Sequence, residues 1–109
     1  MSLTINRHDA AAGPVLRVTG DLDYDHAPDL RRYLDELALD EGQRLVIDLA
    51  GLDFCDSSGI TALLAARRLA HAVGADLALS AVPAKTLRVL AVVGLDRVFT
   101  IHADSTGGG

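Results

Sequence analysis

The stretch that most constrains this chain is Arg44 to Val73, RLVIDLAGLDFCDSSGITALLAARRLAHAV, because it sets a buried strand, a short acidic loop and a long apolar helix in direct succession. Leu45, Val46, Ile47 and Leu49 are β-prone or apolar without strict alternation, which predicts a strand from Arg44 to Leu49 covered on both faces. Gly51 and Asp53 mark the loop. Asp56-Ser57-Ser58-Gly59 then reads as a helix start, since an Asp or Ser ahead of an apolar-periodic run accepts bonds from first-turn amides that lack helical partners. With Asp56 or Ser57 as the cap, the Ser58 hydroxyl is left free, and the missing side chain of Gly59 keeps its approach open. A hydroxyl in that first turn is a good place for a phosphate, because the amides and the helix dipole favour added negative charge. Serines at helix starts are nevertheless more often caps and nothing else.

The rest of the chain supplies partners for this unit. Leu3 to Arg7 and Val15 to Thr19 each alternate apolar and polar residues around Gly13-Pro14, which predicts an antiparallel hairpin. The segment Asp21 to His26 follows as a loop carrying Asp21, Asp23 and Asp25. Pro28 suits a first helical turn, and Leu30, Tyr33, Leu34 and Leu37 form one apolar stripe of a helix whose charged residues face solvent. The helix after Ser58 is apolar almost all round, with a polar strip at Thr61, Arg67, Arg68 and His71, so it packs closely on a sheet. Gly74 stops it; Asp76 to Ser80 is a strand, Pro83 opens a helix closed by Gly94, and Val98 to Ile101 is a last strand. Strands separated by helices predict an α/β fold with a mixed, mostly parallel sheet, its first hairpin at one edge and its helices packed on the sheet.

With 109 residues the chain is one domain, read as 1–103, and the closing STGGG makes 104–109 a flexible tail. Aromatic residues are 4 % and Trp is absent, so the core is Leu, Val, Ile and Ala, and stacking platforms for single-stranded nucleic acid are missing. A net charge of -5, with no basic cluster larger than Arg31-Arg32 or Arg67-Arg68, argues against binding nucleic acid directly. The start lacks the pattern of a signal peptide and no apolar run approaches the ~20 residues that span a bilayer, so the expectation is a cytoplasmic protein without membrane contact.

Catalysis finds no footing in these residues. His8, His26, His71 and His102 fall in separate elements, no His-x-x-x-His or cysteine pair offers a metal site, and no phosphate-cradling glycine pattern occurs. The lone Cys55, next to apolar Phe54, reads as a small core residue. We therefore expect no intrinsic enzyme, no metal and no cofactor. Any phosphate chemistry at Ser58 needs another protein to bring ATP, magnesium and base.

The block DFCDSSGITALLAA, preceded by LVIDLAGL, resembles the signature of STAS-domain proteins of the anti-sigma factor antagonist family. Gly20-Asp21-Leu22-Asp23 and Val93-Gly94-Leu95-Asp96-Arg97-Val98-Phe99 are similar to further turns of that family, so the resemblance runs from about Leu3 to Ile101. It implies the STAS fold, usually with one more C-terminal helix, for which this chain ends too soon. It also implies partner switching. The unphosphorylated form binds an anti-sigma factor, itself a serine kinase of the ATPase-lid type, and so releases a sigma factor; phosphorylation ends the binding and a metal-dependent serine phosphatase restores it. Carried over by position, Ser58 is the phosphate acceptor, and Asp23, Asp56, Ser57, Gly59 and Thr61 join it as partner-binding residues. Related STAS domains also serve without kinases, as accessory subunits on ATPases of lipid-transport systems or in sensory assemblies, which is the alternative reading. An esterase using Ser58 is a distant third, lacking a base nearby in sequence.

Overall fold

The computed structural model describes residues 2–102; the expected tail at 104–109 lies outside the described residues. Strands β1 (Leu3–Ala10) and β2 (Gly13–Leu22) form the expected antiparallel hairpin, paired from Leu3 opposite Gly20 to Ala10 opposite Gly13. Strand β2 is the hub of the sheet. Its first half pairs in parallel with β3 (Arg44–Asp48), and its last residues, Gly20 to Leu22, pair in parallel with β4 (Leu52–Cys55). Strands β5 (Asp76–Ser80) and β6 (Thr100–His102) extend the sheet to give the order β1-β2-β3-β5-β6, with β4 beside β2.

Helices α1 (Ala27–Glu36), α2 (Ser57–Ala72) and α3 (Ala84–Val92) connect the parallel strands. Because β2, β3, β5 and β6 step across the sheet in one direction, right-handed crossovers put these helices on one face. There Leu16, Val18, Leu45, Ile47, Leu77 and Leu79 from the strands meet Leu30, Leu34, Ile60, Leu63, Ala66 and Leu90 from the helices, all buried in one cluster. Each such leucine contributes roughly 1.5 to 3 kcal/mol by leaving water.

Differences from the sequence reading have local causes. Val46, on the opposite face of β3 from Leu45 and Ile47, is only half-buried, so the helices cover that strand on one side and not on both. The acidic loop after Leu49 contains β4: the chain crosses from the first half of β2 to the second and takes up ladder groups that β3 leaves free, a pairing no local pattern announces. For the same reason β2 does not stop at Gly20 but runs on to Leu22 through a register shift between Gly20 and Asp21. The last strand begins at Thr100, two residues later than expected, because Leu95–Arg97 coils into a 3₁₀ turn.

Candidate functional site

The carboxyl ends of β2 and β4 lie side by side, and the loops leaving them meet at the start of α2. Sites in open α/β sheets collect at such strand ends. Asp56 is the N-cap, in extended conformation, and its carboxylate works in two directions. One oxygen accepts from the Gly59 amide at 3.1 Å, and the other accepts from the Tyr24 amide at 3.2 Å. Its own amide donates to the Leu22 carbonyl at 3.3 Å. The residue thus fastens the loop after β2, the end of β2 and the first turn of α2 to one another.

Gly59 is buried, and a Cβ there would stand 2.3 Å from the Leu22 carbonyl oxygen and 2.7 Å from the Cys55 sulfur. Only glycine lets α2 sit this close to β2. This corrects the expectation that its missing side chain opens the approach to Ser58: the space saved faces the core.

With capping done by Asp56, both serines are released from that task. Ser57 is exposed, and its carbonyl accepts from the Thr61 hydroxyl at 2.9 Å. Ser58 is half-buried and lines a pocket of about 210 Å³ with Tyr24, Ala27, Pro28, Arg31 and Thr61. The pocket sits between the starts of α1 and α2.

Asp23 closes the turn into α1. Its carboxylate accepts from the His26 amide at 3.0 Å and lies 2.7 Å from His26 Nδ1, while its carbonyl accepts from the Ala27 amide at 2.7 Å. Desolvation pushes this carboxyl up, but the side-chain and backbone hydrogen bonds from His26 and its charge outweigh that, and the group is held below the ordinary 3.8. The three carboxylates expected in one loop do not share it: Asp21 is buried in β2 opposite Phe54, while Asp25 is exposed.

Cys55 is half-buried against the core, and burial, with the Asp56 charge, pushes its thiol up to about 11. It is a neutral packing group at physiological pH. Among the described residues no group of three or more His, Cys, Asp or Glu is placed to hold a metal ion.

The sequence reading passes over Tyr24 and takes Phe54 only as an apolar neighbour of Cys55, yet both are exposed. Tyr24 is 78 % exposed at the mouth of the Ser58 pocket. Phe54 is 53 % exposed and, with Leu52, Pro83 and Val89, walls a hollow of about 430 Å³ between β4 and α3. The signal for Tyr24 was present in the chain, an aromatic set between two acids in a turn, where no core stripe claims it.

Comparison with known proteins places these features in a wider set. A family described as Mlab, STAS domain matches residues 5–101. An anti-sigma F factor antagonist of Paenibacillus polymyxa is 27 % identical over 103 residues, covering 94 % of this chain and 88 % of that one. A crystal structure of an anti-sigma factor antagonist from Mycobacterium paratuberculosis superposes with a TM-score of 0.84 at 27 % identity, covering 96 % of this chain and 89 % of that one. The Bacillus cell fate determinant SpoIIAA in its phosphorylated form has the same fold, with a TM-score of 0.70 at 19 % identity, over 96 % of this chain and 94 % of that one.

Proposed function

The chain belongs to the STAS domain family, and from that premise we propose that it is an anti-sigma factor antagonist switched by phosphorylation of Ser58. The observation that carries this reading is the corner itself: Asp56 takes the capping role, and the Ser58 side chain faces a pocket instead of closing the helix. Relatives similar along nearly the whole chain bear the antagonist name, which supports the same reading. The unphosphorylated protein docks this corner on an anti-sigma factor that is a serine kinase of the ATPase-lid type, freeing a sigma factor. The kinase moves the γ-phosphoryl group of ATP onto Ser58 Oγ, ADP leaves, and a base of the kinase takes the hydroxyl proton. A metal-dependent phosphatase reverses the change. The protein is a substrate and a ligand in this cycle, not an enzyme, and works in the cytoplasm.

Local charge is sufficient for the switch. A phosphoserine brings about -1.5 to -2 charges and three bulky acceptor oxygens. The helix dipole offsets this within the domain by about 0.3 to 1 kcal/mol, so the fold survives. Against a partner carboxylate about 5 Å away, at an effective dielectric near 20, the added charge meets roughly 6 kcal/mol of repulsion. A third of that weakens binding more than about tenfold. Tyr24, with its large exposed ring, shares the serine's pocket, and Asp23, held ionised next to it in the chain, extends the contact face.

Incubation with ATP and a kinase of this type, followed by intact mass, is expected to add one phosphate to the wild type and none to Ser58→Ala. Phosphate on another residue refutes the assignment. Ser58→Asp is expected to weaken kinase binding with an unchanged circular dichroism spectrum; unfolding instead makes Ser58 a structural residue. Tight binding to an ATPase without any phosphate transfer favours the accessory-subunit reading.

A further inference from the structure

Arg31 is the charged side chain lining the Ser58 pocket, and it reaches that pocket from α1, on the opposite wall from the serine's own helix. It also lines the adjoining hollow of about 250 Å³ between α1 and α2, with Leu34, Asp35, Ala65, Arg68 and Leu69. It therefore stands between two cavities, with room on either side. Its neighbour Arg32 is engaged by Asp29 at 3.6 Å, whereas Arg31 is in none of the ion pairs found among the described residues. Thr61, the hydroxyl nearest in sequence to Ser58 on the pocket wall, already donates to the Ser57 carbonyl.

We propose that Arg31 is the residue that binds a phosphate carried by Ser58, a role that rests on Ser58 being the modified serine. A guanidinium offers planar paired donors that match two phosphate oxygens, and its attraction to a dianion is twice that to a single carboxylate at equal distance. Asp35, one turn along α1, is the competing anion; it lines the adjoining hollow, which Arg31 and Arg68 both line, and not the Ser58 pocket. Ala27 and Pro28, which carry no charge or side-chain donor, also line the pocket, so Arg31 is its one cationic side chain. The switch then has two parts. Modification adds negative charge to the docking corner, and it also turns Arg31 inward, so a partner that met a cation beside the serine meets a filled pocket of net negative charge.

The test uses full-length protein in which phosphoserine is inserted at position 58 during translation, so that no kinase is involved. The second ionisation of the phosphate is followed by ³¹P NMR. In the wild type it is expected about half a pH unit below its value in Arg31→Gln, the size of a partly exposed charge pair. Arg31→Lys is expected to recover part of the shift, and Arg32→Gln to titrate like the wild type. Identical titrations in wild type and Arg31→Gln overturn the proposal, as does an equal shift from Arg32→Gln, which reduces Arg31 to part of a general positive field. Failure of the kinase to label Ser58 is a separate result: it removes the proposed function and leaves the phosphate titration as readable as before.

Discussion

Helices α2 and α3 both start at the carboxyl end of a strand, yet they are held in different ways. At the start of α2 a carboxylate cap reaches two backbone amides on separate segments, and a glycine with no room for a methyl group fixes the distance to β2. At the start of α3 the cap position is Pro83, which makes no side-chain bond. Helix α2 buries Gly59, Ile60, Ala62, Leu63, Ala66 and Ala70, whereas α3 buries Thr86 and Leu90 and leaves Val92 81 % exposed. The chain concentrates its polar and steric specification at the corner that presents Ser58. The other end of the layer is seated chiefly by one leucine. The proposed switch at Ser58 needs that hydroxyl at a fixed position, and the contrast shows which positions would supply the fixity.

Replacing a glycine at each end tests this contrast at its strongest point. Gly59→Ala puts a methyl group against the Leu22 carbonyl and the Cys55 sulfur, and backbone cannot step aside as a flexible side chain would. We expect a loss of about 3 kcal/mol, read as a lower urea midpoint at unchanged slope. A smaller effect follows from the cap. Asp56→Ala removes the acceptor for the Gly59 and Tyr24 amides together, and about 1 to 2 kcal/mol is expected, with faster hydrogen exchange at both amides. Gly94→Ala, after α3, is expected to cost about 1 kcal/mol, because a Cβ there meets nothing within 4 Å and the loss comes only from its φ of 78°. Equal costs for Gly59→Ala and Gly94→Ala would mean that the two ends are held alike after all.

The same contrast explains what was legible in the chain. Strand β5 was read residue for residue and α2 almost so, since both are set by local periodicity and a clear stop at Gly74. The cap pattern Asp56 to Gly59 announced the helix start, and the edge hairpin followed from alternation around Gly13-Pro14. Strand β4 and the last residues of β2 were not legible, because each becomes a strand only by finding the other some thirty residues away along the chain. The need for a glycine at position 59 comes from Leu22, which no spacing within the motif can reveal. The bond from the Tyr24 amide to Asp56 is likewise a product of tertiary approach. What the sequence hid at the site is therefore the second partner in each contact, not the identity of the serine's own turn.

The smallest expected effect is electrostatic and sharpens the comparison without moving the core. The Asp23 carboxyl is held below its ordinary value, where the hydrogen bonds and charge of His26 outweigh the opposing desolvation. A carboxyl whose folded value is depressed stabilises the fold above its unfolded value and loses that contribution as the pH falls through the folded one. The loss therefore sets in near pH 3.8 and continues below it. Asp23→Asn keeps an oxygen for the His26 amide but removes the charge, so its acid unfolding curve is expected to be shallower than that of the wild type over this range. Amide exchange gives the location. The amides of His26, Tyr24 and Gly59 are expected to lose protection on acidification in wild type more than in the variant, because Asp23 and Asp56 hold adjoining parts of one loop. Those of α3 are expected to respond alike in both, since none of the ion pairs found among the described residues involves α3. Equal acid sensitivity of α3 would show that Asp23 acts on global stability, and the two ends of the layer would then respond as one unit.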